Sequence, residues 1–198
     1  MTISPALKSQ ETSKEARALW ARILAESTPT NLREVVSQNL HLAALQIYDT
    51  HGKDQADGRK AVAIHEVVVR GEMTDGEGKL SRTWLTLLVE LCSNLAGHAL
   101  DLPTEGSIPS KTVALNLDVH SSPSTESSLR IVSSTISSDK RMQSVLCEVW
   151  EILPKGQTKV AEARVTQLQM PWLAKADDRR GWTEDMLVDR GKVMVGKL

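Results

Sequence analysis

At 198 residues the chain has room for one domain with a substantial core plus extensions, and its 40% hydrophobic and 25% charged content is that of an ordinary globular protein. A net charge of -1 sets up no global field to attract nucleic acid or an anionic membrane, and with no Phe and one Tyr there is little aromatic surface for stacking bases. Cys92 and Cys147 are the two cysteines; they make neither a disulfide framework nor a zinc site and read as small buried hydrophobes.

Residues 1–12 are polar. Thr12-Ser-Lys-Glu15 has the form of a capping box, and Ala16, Leu19, Trp20, Ile23 and Leu24 then recur at helical spacing, so a helix is expected to run until Pro29. Asn31 is expected to cap a second short helix built on Leu32, Val35 and Val36. Two extended runs, Leu42–Thr50 and the β-branched-rich Ala61–Met73, flank the turn-rich segment HGKDQADGRK and predict a hairpin. A long apolar helix is expected from about Ser81 to Leu100, closed by a loop with Pro103, Gly106 and Pro109.

Four strands should follow. In the first, Thr112–His120, the alternation places Val113, Leu115, Leu117 and Val119 on one face and Asn116, Asp118 and His120 on the other. Ser128–Ser137, Gln143–Leu153 and Val160–Met170 are joined by short turns and should be antiparallel neighbours, with Ala161, Ala163 and Val165 opposing Glu162, Arg164 and Thr166. Residues 171–198 read as a tail with a short helix near Thr183–Asp189. The expected organisation is an N-terminal helical extension (1–38), a main domain (39–170) and that tail. A helix apolar on nearly every side must be surrounded, so the fold class is α+β: a curved antiparallel sheet wrapped around one long helix.

The segment Thr83–Leu100 is the one candidate membrane span. Thr86, Glu90, Ser93, Asn94, Gly97 and His98 make it a poor one, and no basic-then-apolar leader precedes it. The expected location is the cytoplasm. The last residues, Gly196-Lys197-Leu198, approximate a peroxisomal Ser-Lys-Leu tail with an unsuitable first residue.

On the long helix, steps of three and four link Thr83, Thr86, Glu90, Ser93 or Asn94, and Gly97. The helix therefore carries one polar stripe with a lone carboxylate at its centre. Two readings stand side by side: the wet face of a surface helix, or the lining of a cleft or subunit seam in which Glu90 acts as a general base. The five histidines show no metal-ligand spacing, and there is no Gly-x-Ser-x-Gly elbow, phosphate-binding loop or dinucleotide fingerprint, so no cofactor is expected. Asp139-Lys140-Arg141 sits at an expected hairpin turn, either simply solvated or available to a phosphate.

The register from Asp75 to Glu90 resembles the hotdog-fold acyl-CoA thioesterase superfamily, in its phenylacetyl-CoA and acyl-CoA thioesterase branch. That family's motif is Asn, five residues, His-Gly-Gly, six residues, then an acid within the helix. Here the same spacing reads Asp75, five residues, Ser81-Arg82-Thr83, six residues, Glu90. The run TVALNLDVHSSP also resembles the family's strand after the helix, ending at Pro123. The resemblance covers about residues 40–170 and implies a hotdog fold, a long central helix wrapped by an antiparallel sheet.

The resemblance implies that Glu90 activates water or attacks a thioester, and that the Arg82 backbone N–H polarises the carbonyl. It implies that Asp75 and Thr86 position water, with Ser81, Thr83, Asn94 and Thr112 lining the substrate and Lys140 and Arg141 meeting CoA phosphates. The implied partner is an acyl thioester of CoA or a carrier protein. The implied assembly is a homodimer or homotetramer joined by sheet edges, with Glu90 facing Asp75, Ser81 or Arg82 of a second chain. The chain departs from the family where Arg82 replaces Gly, Ser81 replaces His and Asp75 replaces Asn. The alternative is a non-hydrolytic hotdog protein of a biosynthetic pathway that binds an acyl or polyketide-like ligand, or performs acid–base elimination, isomerisation or cyclisation. A purely structural dimerisation module is the third option.

Overall fold

The computed structural model describes residues 14–49, 59–101, 110–138 and 142–169. The expected capping box at Thr12, the Lys140-Arg141 turn, the short helix in the tail and the C-terminal tripeptide lie outside the described residues.

The chain opens with α1 (Lys14–Ser27) and α2 (Arg33–Asn39). Ala16, Leu19, Trp20 and Ile23 are the buried face of α1, as their spacing predicts. The helix stops two residues before Pro29. Asn31 does not cap α2. The N-cap is Leu32, with no side-chain cap bond, because the preceding turn is closed by the Leu32 N–H on the Pro29 carbonyl at 2.9 Å.

Six strands follow around one long helix: β1 (Leu40–Asp49), β2 (Arg59–Val68), α3 (Arg82–His98), β3 (Ser110–Val119), β4 (Ser128–Ser138), β5 (Met142–Leu153) and β6 (Gly156–Gln169). They form one antiparallel sheet in the order β1-β2-β4-β5-β6-β3. The expected hairpin is β1–β2, and β4, β5 and β6 are consecutive antiparallel neighbours. β2 is shorter than the apolar run suggested. Past Val68, Gly71 interrupts the extended chain, and a single turn at Gly71–Met73 closes with the Met73 N–H on the Arg70 carbonyl at 2.9 Å.

The concave face of the sheet carries the core. Leu45, Ala63, Ser133, Cys147, Ala163 and Leu117 stand side by side across all six strands. On this surface α3 lays Leu85, Leu88, Val89, Leu91, Cys92, Leu95 and Ala96, all buried. Each of the leucines and Val89 withdrawn from water contributes about 1.5–3 kcal/mol, which explains why the helix is apolar over most of its circumference. α1 packs beside α3 and over β1, where Trp20 and the fully buried His65 of β2 bring their rings to 4.5 Å between centroids.

β3 and β1 are the sheet edges. In β3 the expected alternation holds for Leu115, Leu117 and Val119, but Val113 is 54% exposed rather than inward. A bulge between Thr112 and Ala114 adds one residue to the strand and changes its phase, so Thr112 rather than Val113 takes the inner position opposite Gln167.

Candidate active site

α3 begins at Arg82 because Ser81 caps it. The Ser81 hydroxyl accepts from the Trp84 N–H at 3.3 Å, and the Ser81 carbonyl accepts the first helical bond, from the Leu85 N–H at 3.0 Å. The N–H groups of Arg82 and Thr83 are left without acceptors among the described residues, at the positive end of the helix dipole. Both residues are exposed. They form a ready anion-stabilising corner, and its backbone donors do not depend on the Arg82 side chain.

The loop entering this corner is organised by Asp75. Its Oδ1 accepts from the N–H groups of Glu77 at 2.9 Å and Lys79 at 3.0 Å, while the Asp75 N–H donates to the Lys79 carbonyl at 2.8 Å. Gly78 completes the turn at φ 71°, where a side chain would be strained. An acceptor-only carboxylate suits a turn that presents two N–H groups to it. Asp75 is exposed, and this turn engages one of its two oxygens.

The polar stripe is present, with Asn94 rather than Ser93 as its member at that turn, and it ends at the buried Gly97. Thr86, Glu90 and Asn94 are half-buried and Thr83 is exposed. Ser93 is not part of the stripe; it is buried, and its hydroxyl donates to the Glu90 carbonyl at 2.9 Å. The Thr86 hydroxyl donates to the Arg82 carbonyl at 2.9 Å. The Glu90 carboxylate has no side-chain partner among the described residues.

The direction the stripe faces follows from its last turn. Gln167 of β6 donates through Nε2 to Asn94 Oδ1 at 2.6 Å. One turn on, Gly97 lies directly against the tips of Gln167 and Gln143. His98 Nε2 is 3.1 Å from Ser110 Oγ at the start of β3. The stripe therefore looks toward β6 and the edge strand β3, while α1 occupies the flank of α3 toward β1. Together the polar side of α3 and the half-buried inner residues of β3, Thr112, Leu115, Leu117 and Val119, make an open trough with a polar end and an apolar wall.

Sequence reasoning missed the buried glutamines. Gln143, Gln167 and Gln169 are 2%, 0% and 6% exposed. The signal was in β6, where the inward alternation Ala161, Ala163, Val165 continues in phase to Gln167 and Gln169. The cysteines are structural: burial pushes Cys147 up to about 12 and Cys92 well above its ordinary value, so neither is a nucleophile near neutral pH. Burial, then the nearby Arg22 charge, hold His98 below the usual imidazole range. Among the described residues no cluster of three metal-ligating side chains forms, and no helix is long and apolar enough to cross a membrane.

Solved structures share this architecture. Thioesterase superfamily member 2 from zebra fish superposes with a TM-score of 0.59 at 13% identity, covering 80% of this chain and 100% of that one. The PaaI protein of the Escherichia coli phenylacetic acid degradation operon gives 0.57 at 11%, covering 79% and 96%. A Streptococcus mutans protein solved with acetyl-CoA gives 0.51 at 14%, covering 67% and 89%.

The fold is the hotdog fold.

In hotdog terms α3 is the central helix and the six strands are its wrapping. At these identities the likeness is one of fold. No protein-family model matches the chain, and none of the curated proteins does.

Proposed function

We propose that this hotdog protein is a thioesterase-like enzyme that hydrolyses an acyl thioester of CoA or of a carrier protein. The observation that carries the reading is that α3 offers both a half-exposed carboxylate at its middle and, at its N-terminus, two backbone N–H groups without acceptors among the described residues, each available to a second copy. Acyl transfer needs both: a base or nucleophile, and donors where the carbonyl oxygen becomes negative. Glu90 takes a proton from water as the water oxygen attacks the thioester carbon. The Arg82 N–H stabilises the oxyanion, and the C–S bond then breaks, with the thiolate leaving and regaining the proton. The apolar wall of Leu115, Leu117 and Val119 receives the acyl chain. Thr86 and Asp75 hold water, and Lys140 and Arg141 meet the CoA phosphates. The hotdog relative solved with acetyl-CoA supports the ligand class.

The two halves of this chemistry cannot meet within one chain. Arg82 and Glu90 are eight residues apart on one helix, about 12 Å at 1.5 Å per residue. A thioester carbonyl is far smaller. The site is complete when the helix N-terminus of one copy faces Glu90 of another, and β3, paired only to β6 among the described strands, is the edge through which two copies join.

The test follows free thiol release from a panel of acyl-CoA esters, with light scattering on the same sample. Turnover by a dimer or tetramer, abolished by Glu90→Gln, is expected. A strictly monomeric protein, or turnover that survives Glu90→Gln, overturns the reading. Retained ligand without turnover on any thioester supports the non-hydrolytic alternative.

A further inference from the structure

In the motif that this chain resembles, an amide stands where Asp75 is, and Asp75 Oδ1 is already committed to the N–H groups of Glu77 and Lys79. An amide does lie next to Glu90. Asn94 follows it by one helical turn on the same half-buried face, the spacing at which side chains on a helix meet.

The orientation of that amide is set from the sheet. Gln167 Nε2 donates to Asn94 Oδ1 at 2.6 Å, so the oxygen end of Asn94 is occupied. Its Nδ2 end, with two hydrogens to give, has no acceptor among the described residues. A carboxylate accepts and cannot donate, so the end of Asn94 left free is the one that complements Glu90.

Gln167 is costly where it stands. It is fully buried, on the inner face of β6 in line with Ala163 and Val165, and its Oε1 has no hydrogen-bond partner. An orphaned buried carbonyl weakens the fold, a loss that a methionine of similar length would avoid. Gly97 is what admits it: a side chain there would collide with the tip of Gln167. A residue that weakens the fold, held against a glycine and bonded to the functional face, fits a positioning role better than a packing role.

We propose that Asn94 is the amide that orients the Glu90 carboxylate toward the reacting carbonyl, and that Gln167 is a positioning residue fixing which end of Asn94 faces Glu90; this rests on the thioesterase reading above. In this proposal the Asn94 Nδ2, without an acceptor among the described residues, is the donor offered to Glu90. Gln167 acts only through Asn94, seated against Gly97 between Gln143 and Thr112 on the neighbouring strands.

The test uses the full chain and compares wild type, Asn94→Asp, Asn94→Ala and Gln167→Met for thermal midpoint and for kcat and KM on an acyl-CoA that the wild type hydrolyses. Gln167→Met is expected to keep or raise the midpoint while lowering kcat about tenfold and leaving KM within about twofold. Asn94→Asp, isosteric but unable to donate, should lower kcat about a hundredfold, more than Asn94→Ala, because it sets a second carboxylate beside the first. A Gln167→Met protein that loses several degrees and keeps its kcat makes Gln167 a packing residue and overturns the proposal. If the wild type hydrolyses no thioester, the thioesterase reading fails on its own. The amide arrangement is then judged from the Asn94 side-chain NH2 resonances: a distinct wild-type pair that broadens or moves toward the solvent-exposed position in Gln167→Met supports it, and an unchanged pair overturns it.

Discussion

Gly97 and Gln167 approach so closely that a Cβ at position 97 would collide with Gln167 Oε1, and would lie 2.7 Å from Gln143 Oε1. Neither glutamine tip has open space into which to retreat, since the two residues are 0% and 2% exposed. Gly97→Ala gains about 1 kcal/mol of helix propensity and loses more than that by displacing both amides, for a net loss of about 1–2 kcal/mol. Urea unfolding reads the difference. In the double variant with Gln167→Ala the losses should fall short of their sum, the mark of two groups competing for one space.

His65 makes the stability pH-dependent. Burial pushes it down to about 3 from an ordinary 6.5, and neither ring nitrogen has a hydrogen-bond partner. The folded protein holds it neutral, while the unfolded chain takes up a proton below about pH 6.5, so stability is full above that value and is lost as the pH falls toward 3. The loss is on the order of a few kcal/mol. His65→Leu should be at least as stable as wild type near neutral pH, and its urea midpoint should fall less between about pH 7 and about pH 4. His98, depressed by burial and Arg22, contributes in the same direction and accounts for part of what remains.

Ser81→Ala removes the side-chain acceptor at the start of α3. The expected cost is about 1 kcal/mol, and Ser81→Asp should largely restore it. Denaturant unfolding of the three proteins checks this. The bond replaced is the 3.3 Å contact to the Trp84 N–H.

Arg82→Gly tests obstruction. The backbone N–H survives the change and the side chain does not, so thioester hydrolysis should rise several-fold if the guanidinium stem hinders close approach. An unchanged kcat/KM would mean that the exposed side chain already stands clear. Stability should fall by about 1 kcal/mol at most, because the first turn of a helix tolerates glycine better than its interior does.

Much of the fold was legible because burial imposes period. Ala16, Leu19, Trp20 and Ile23 could only be one side of a helix, and Ala161, Ala163 and Val165 only one side of a strand. The apolar circumference of α3 required a wrapping sheet. What period cannot show is a local change of phase. Alternation alone points Val113 inward, but a one-residue bulge interrupts it, and helical spacing leaves Ser93 and Asn94 as alternatives of which only Asn94 stays on the wet face. The Gln167–Asn94 bond joins residues 73 apart in sequence and follows from sheet register alone. Motif position alone points to Asp75, while its bonds to Glu77 and Lys79 depend on a turn that spacing does not reveal.

The bulge in β3 has an effect out of proportion to its size. From Leu115 onward the strand keeps its apolar side chains on the concave face, but upstream of the extra residue the phase is inverted. A regular strand would have brought the methyl groups of Val113 next to Gln167 and turned the hydroxyl of Thr112 to the outside. With the insertion, the end of the trough is wet and hydrogen-bonding, and the outer edge is greasy. Removing Val113 alone would leave Thr112 and Leu115 inside and delete only the protruding valine. That deletion separates the two effects of the same residue: how the trough is lined, and what the free edge offers to another sheet.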